Sequence, residues 1–360
     1  VHLYIGLVLG LPILLLAITG CLLVFDSAVD GWLNPDLVKV TPQERRLPFQ
    51  ELADRVRAAY PDDAPPGEIR VQHGPGHPAT AGFRRGDAYI VVYIDQYTGA
   101  IKGDRVNLAA PMIPVGRLHT GRVAGQVGQT VVGVLTAITL FAVGSGLYLW
   151  WPRKIFGVKW SANWRRVNFD LHNVFGLFSS VVLLFVLLTG VMITWDGPIE
   201  AFLVRWLDGK EIEQPPKLES TVVEGARRLT LDEAVAVADA ALPGTYTVGV
   251  NVLAPGKGVY QVLKRFPEDK TGAGRSRVFV DQYSGKVLRV VNSRELPLGT
   301  RIMNFSEPIH TGIVLGWPTV VLAFLATAAL AGQVVTGFLI WWKPRRLGDE
   351  ARAVEREAVA

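Results

Sequence analysis

Residues His172–Trp195 read HNVFGLFSSVVLLFVLLTGVMITW, and His2–Phe25 read HLYIGLVLGLPILLLAITGCLLVF. Each run is long and apolar enough to cross a bilayer, which takes ~20 residues of helix. Each opens on a histidine. In both, a glycine follows four positions later (Gly6, Gly176), and a Thr-Gly pair follows by seventeen and eighteen (Thr19-Gly20, Thr189-Gly190). Two further apolar runs start from His-Thr-Gly, at His119 and His310. Both close on Trp-Trp thirty-one residues later (Trp150-Trp151, Trp341-Trp342). One histidine near an end of each of four apolar helices is a pattern that calls for a cofactor.

Composition agrees with a membrane protein. The 360 residues are 49% hydrophobic yet 19% charged, with a mean hydropathy of +0.27, so charge must sit in wet segments between apolar spans. Four spans are expected, at about 3–25, 127–151, 173–195 and 313–342. The first residue is Val, so the native N-terminus is expected to be missing. The first run is not read as a cleavable signal, because its repeat partner lies in mid-chain. Arg153, Lys154, Lys159, Arg165 and Arg166 fill the loop between spans two and three, and Lys343, Arg345 and Arg346 follow span four. The positive-inside rule makes these cytoplasmic anchors and places both larger segments on the opposite side. The net charge of +5 is therefore no sign of nucleic-acid binding. Cys21, the single cysteine, excludes an internal disulfide or a Cys-rich metal site and reads as a small packing residue.

In order, the layout is a first transmembrane helix (1–26), an extracytoplasmic domain (27–115), a second helix (116–152) and a basic cytoplasmic loop (153–169). A third helix (170–196), a second extracytoplasmic domain (197–306), a fourth helix (307–343) and a cytoplasmic tail (344–360) follow. In the first domain Leu47–Tyr60 has helical spacing, and 68–72, 89–94 and 100–106 read as strands. In the second, Leu229–Leu242 reads as a helix with a Thr230/Glu233 capping box, and 246–252, 259–264 and 277–280 as strands. Asp95-Gln96-Tyr97-Thr98-Gly99 and Asp281-Gln282-Tyr283-Ser284-Gly285 supply matching turns. The result is a four-helix α-helical membrane bundle built as a duplicated span–domain–span repeat with α+β domains. The repeat offset is 170 residues at His2/His172, 186 at the turns and 191 at His119/His310.

This topology puts His2 and His172 at the cytoplasmic ends of spans one and three, and His119 and His310 at the extracytoplasmic ends of spans two and four. Ligands of one metal must share a depth, since each bond is only ~2 Å. The pairs are then His2/His172 and His119/His310. Neither level offers a third ligand for zinc, whereas two histidines suit a haem held from both faces. Gly6 and Gly10, and likewise Gly176 and Ser180, lie four and eight residues after a histidine and share its face. Gly20 and Gly190 return to that face five turns on, and such small residues would let a flat macrocycle approach the backbone. An iron with two histidine ligands has no free position for oxygen chemistry, so the role is electron transfer, with one haem near each face. His73 and His77, in QHGPGHP, read as solvated loop residues; Gln333 reads as an interhelical hydrogen bonder.

The duplicated H-x3-G…T-G span, the D-Q-Y-[ST]-G turns, the H-T-G openings and the W-W exits resemble the PepSY-associated transmembrane family, from His2 to about Arg346. Its members include iron-regulated inner-membrane proteins of the ferric-siderophore reductase type. The resemblance implies two PepSY-like extracytoplasmic domains in the periplasm and two b-type haems per chain bound by His2, His172, His119 and His310. It also implies an oxidoreductase that reduces Fe(III)-siderophore and releases Fe(II). The domains would shape the acceptor site over the His119/His310 haem. Arg117, Arg122 and Arg301 are placed to attract an anionic chelate or to anchor headgroups. The donor is a quinol or a separate cytoplasmic reductase, since no nucleotide-binding G-x-G-x-x-G stands between a strand and a helix. Two rivals remain. A membrane-anchored PepSY binding or regulatory protein would hold no haem. A transporter would favour interrupted spans with midplane polar sites, whereas the span middles here are apolar.

Overall fold

The computed structural model describes residues 1–359 apart from 72–73, 213–214 and 253–255, with side chains described for these except 252 and 343–359. The helices used below are α1 (His2–Val8), α2 (Gly10–Leu23), α3 (Phe49–Ala59), α4 (Ile113–His119), α5 (Gly125–Trp150), α6 (Trp164–Thr194), α7 (Leu231–Ala241), α8 (Ser306–His310) and α9 (Trp317–Val359). The strands are β1 (Glu68–Val71), β2 (Ala79–Arg85), β3 (Ala88–Ile94), β4 (Ile101–Val106), β5 (Tyr246–Val252), β6 (Val259–Arg265), β7 (Ser276–Asp281) and β8 (Val287–Val291). The chain divides into two compact units, one of 1–25, 114–199 and 305–360, the other of 26–113 and 200–304.

In the first unit three stretches are long and apolar enough to cross a membrane: Arg122–Trp150, Trp164–Thr194 and Trp317–Trp342. Their buried positions include Thr139, Ser179, Ser180 and Thr189, while Val131, Phe141, Phe178 and Phe185 are exposed. Small and hydroxylated residues inside with large apolar ones outside is the packing rule of helices in lipid. The hydroxyls of Thr139 and Thr189 are satisfied by the carbonyls of Leu135 and Phe185, both at 2.7 Å.

The run expected as a single first span is instead a bent pair, α1 and α2, meeting at 72°. Pro12 explains the break. It has no N–H to give the carbonyl of Val8, and its ring collides with that carbonyl in a continuous helix. The equivalent residue 170 positions on is Val182, and α6 runs unbroken through it. α6 also begins earlier than expected, at Trp164. Asn163 caps it by accepting from the Arg166 amide, and fully buried Asp170 pairs with Arg166 and accepts from the Lys159 amide. The segment expected as a separate tail continues α9 to Val359.

In the second unit the two regions expected as separate domains form one sheet, in the order β4-β3-β2-β1-β5-β6-β7-β8. The order reads the same outward from the central β1/β5 pair, which is antiparallel with Ile69 opposite Val250. Leu52 and Val56 of α3, Ala234 and Ala238 of α7, and Ile69, Val92, Val250, Val262 and Val278 of the strands share one hydrophobic core. A four-stranded half with one helix would leave a bare edge at β1 or β5, and pairing the two removes it. The helix starts are interlocked as well: Asp232 accepts from the amides of Phe49 and Gln50 at 2.9 and 3.0 Å, and Gln50 Oε1 accepts from the Leu231 amide.

The expected helices and the Thr230/Glu233 capping box are present. Both D-Q-Y-[ST]-G turns form, with Asp95 and Asp281 side chains accepting from the amides two and three residues on and with Gly99 and Gly285 at φ +74 and +70. β2 and β8 were not foreseen. β2 is Ala- and Gly-rich, and the Tyr89 ring of the next strand lies over Gly82, where a Cβ would displace its hydroxyl end.

Candidate functional site

The first unit brings the histidines together in two facing pairs. The rings of His2 and His172 have centroids 6.4 Å apart, and those of His119 and His310 are 6.2 Å apart. Each pair joins one residue from the first repeat with its counterpart from the second. Along α6, His172 and Gly190, which packs against His310, are 18 residues apart, or ~27 Å of helix. The two levels are thus separated by about the thickness of a hydrocarbon core.

Every ring is held through Nδ1. The Ser145 hydroxyl donates to the Ala142 carbonyl, so its oxygen accepts from His2 Nδ1 at 3.0 Å, where Ala142 O also lies. The Thr336 hydroxyl donates to Gly332 O and accepts from His172 Nδ1 at 2.9 Å. Thr19 donates to Leu15 O and accepts from His119 Nδ1 at 3.0 Å, and Val186 O accepts from His310 Nδ1 at 2.8 Å. These partners place the proton on Nδ1 in all four rings and leave the Nε2 lone pair free, which is the arrangement of metal-binding imidazoles.

Each ring also lies against a glycine. A Cβ on Gly146 would meet His2 Cε1 at 3.2 Å, one on Gly337 would meet His172 Cε1 at 3.2 Å, and Gly20 and Gly190 stand likewise to His119 (3.2 Å) and His310 (3.1 Å). The clasp is reciprocal: α5 holds the histidine of α1, while α2 holds the histidine that precedes α5. α9 and α6 repeat it with His172 and His310. Gly20 and Gly190, expected five turns on from His2 and His172, thus seat the histidines of the other level. Gly6 and Gly176 line one cavity with His2, His172, Gly146 and Gly337.

His119 and His310 do not begin the long helices directly. Each ends a short helix, α4 or α8, and the chain then turns through H-T-G-x3-G. Gly121 and Gly312 have φ +73 and +80, and a Cβ there would strike the backbone oxygens of Gly128 (2.2 Å) and Thr319 (2.7 Å). Glycine is obligatory at both positions.

The partner pairs Ser145-Gly146 and Thr336-Gly337 escaped the sequence reading, although they repeat at the same offset of 191 as His119/His310. A [Ser/Thr]-Gly dipeptide facing each histidine was the available signal. Other candidates stand apart. Gln333 donates to Ser179 Oγ at 3.1 Å, the interhelical bond expected of it. Cys21 is half-buried in α2. Arg117, Arg122 and Arg301 are exposed, as is His77, and His73 lies outside the described residues.

The donor set fits a haem. Two imidazoles on opposite sides of one metal, each bonded at ~2.0 Å, have ring centres ~6.3 Å apart, a five-membered ring having a radius of ~1.15 Å. Both observed spacings match this. Among the described residues no three His, Cys, Asp or Glu side chains gather around one point, so each level offers two nitrogens, as a macrocycle with its own four equatorial donors requires. Beside His2 and His172 lies a cavity of about 310 Å³, walled by the four glycines and by Ile13, Val143, Leu330 and Phe338. The family model described as PepSY-associated TM region matches residues 1–343. No curated protein matches the chain.

Proposed function

Because that match spans nearly the whole sequence, the chain belongs to the PepSY-associated TM family, and from this premise we propose that it is a dihaem b electron-transfer protein of a bacterial inner membrane. In this reading the bent pair α1/α2 forms the fourth span of a duplicated span–domain–span repeat. The regions 27–115 and 197–306 are periplasmic, PepSY-like halves. The chain is an oxidoreductase that passes electrons outward, one at a time, to a ferric siderophore whose iron leaves as Fe(II). A quinol or a cytoplasmic reductase supplies the electrons.

One observation carries the reading: four histidines form two facing pairs at two depths, each with Nδ1 tied and Nε2 free. A bound haem at each level would supply a one-electron couple. What the chain supplies is rigidity. Serine, threonine and backbone oxygens fix each ring's tautomer and tilt, and the glycines let neighbouring helices close on the rings. A ligand set that does not rearrange between oxidation states keeps the cost of each transfer low. With His2 and His172, or His119 and His310, both held to one metal, the chain would leave no position for dioxygen or substrate, and the group would supply outer-sphere electron transfer only.

The test is absorption spectroscopy of the purified protein, air-oxidised and then reduced with dithionite, with haem quantified per chain. Two b-type haems are expected, with His119→Ala and His172→Ala each removing one. Protein free of haem, from cells supplied with haem precursor, overturns the reading in favour of a membrane-anchored binding or regulatory role. Rapid mixing of the reduced protein with a ferric siderophore tests the acceptor separately. Reoxidation is expected, and no reaction refutes the ferric-siderophore assignment.

A further inference from the structure

The cavity beside His2 and His172 is not uniform along its length. Its lining includes Ile13, Val143, Leu330 and Thr139, whose hydroxyl is spent on the Leu135 carbonyl, and also Trp150, Phe169 and Arg153. Among the described lining residues Arg153 is the one charged side chain. It stands ten residues beyond Val143, roughly 15 Å further along the axis and past the end of α5. Its guanidinium is tethered there, with Nη1 donating to the Leu149 carbonyl at 3.3 Å and Cζ 5.9 Å from the centre of the Phe169 ring. These two contacts leave most of its five N–H donors unspent. The other Trp-Trp exit carries its Pro-Arg pair one residue later, at Pro344-Arg345.

A b-type macrocycle is flat and apolar except for two carboxylates on one edge. Turned toward Ile13 and Leu330, that edge would put negative charge into hydrocarbon without a partner, at prohibitive cost. Turned the other way, it meets a guanidinium whose planar fork matches a carboxylate. We propose that Arg153 holds a carboxylate of the macrocycle between His2 and His172, and so sets which way that group faces in the bundle. The inference rests on the dihaem reading. Arg153 touches no iron ligand in the structure; its role is to orient the group and to balance its charge. Without the cation, the carboxylate stabilises the oxidised, more positive state, so the midpoint potential of this centre falls.

The experiment uses the full chain in detergent, in a His119→Ala background that retains the His2/His172 centre. Haem release to a scavenging apoprotein and the midpoint potential are measured for Arg153, R153L and R153K. R153L is expected to release haem on the order of tenfold faster and to titrate at a lower potential, with R153K restoring part of both. Haem carrying methyl-esterified carboxylates should show the same tenfold deficit with Arg153 and no further loss with R153L, since the two changes remove one interaction. Unchanged release and potential in R153L, or losses that simply add, overturn the proposal while leaving the dihaem reading intact. A parent chain without haem sinks both.

Discussion

Gly144 and Gly146 offer a direct test of the glycine clasp. They sit two residues apart on α5, and an alanine at either gives the helix the same gain in propensity, ~1 kcal/mol. Their surroundings differ. A Cβ on Gly144 meets nothing within 4 Å, whereas one on Gly146 lies 3.2 Å from His2 Cε1. Ordinary contact begins near 3.4 Å, so the His2 ring must retreat by a few tenths of an ångström. It is not free to do so, because the Ala142 carbonyl and Ser145 hydroxyl hold Nδ1 at 3.0 Å each. Overpacking of this kind costs ~1–3 kcal/mol. If it falls on the ligated state, haem at this level binds ~5–150-fold more weakly, at 1.4 kcal/mol per factor of ten. The assay is haem per chain after competition with a scavenging apoprotein. Gly146→Ala should retain the His119/His310 haem and lose much of the other, Gly146→Val should lose it completely, and Gly144→Ala should match the parent. Equal haem retention in Gly144→Ala and Gly146→Ala would falsify the clasp.

Pro12→Val installs the residue found at the equivalent position of the unbroken α6. It should straighten the first span, carry His2 away from His172 and remove one haem, read as a fall from two haems per chain to one; two retained haems would show that the bend is not what aims His2. Asp232→Ala removes the acceptor for two amides at the start of α3 and should destabilise the sheet unit by ~1–2 kcal/mol, the worth of a helix cap. A urea melt followed by far-UV circular dichroism checks it, and an unshifted midpoint counts against cross-capping. The last prediction concerns acid. Glu233 is held down to about 2 by hydrogen bonds from the Arg227 guanidinium and then from the Thr230 amide, against an ordinary 4.5. A carboxylate depressed in the folded state stabilises it above the unfolded value and loses that contribution as pH falls through the folded one. Between pH 4.5 and 2, Glu233→Gln should therefore lose less thermal stability than the parent, measured by melts at pH 5 and pH 3. An identical drop in both would remove Glu233 from the acid response.

Whatever depends on neighbours along the chain or on repetition could be read from the residues alone. The last three apolar runs of span length, the Thr230/Glu233 box and the D-Q-Y-[ST]-G turns are local chemistry, and they stand where they were expected. The pairing of His2 with His172 and of His119 with His310 was also legible, because charge in the connecting loops orders the spans and a short metal–nitrogen bond forbids partners at different depths. Pro12 was a local signal too, overlooked because hydropathy does not register a missing N–H.

Tertiary structure decided the rest. No periodicity tells β1 that its neighbour is β5, some 180 residues away, and that one pairing turns two expected domains into a single sheet with one core. Nor does spacing along a helix show that Gly20 seats His119. Small residues are placed by what packs against them, and that is set by where two helices cross. A histidine announces itself in the sequence by its chemistry, whereas the glycine that makes room for it is defined by an absent side chain and becomes visible only once its neighbour is in place.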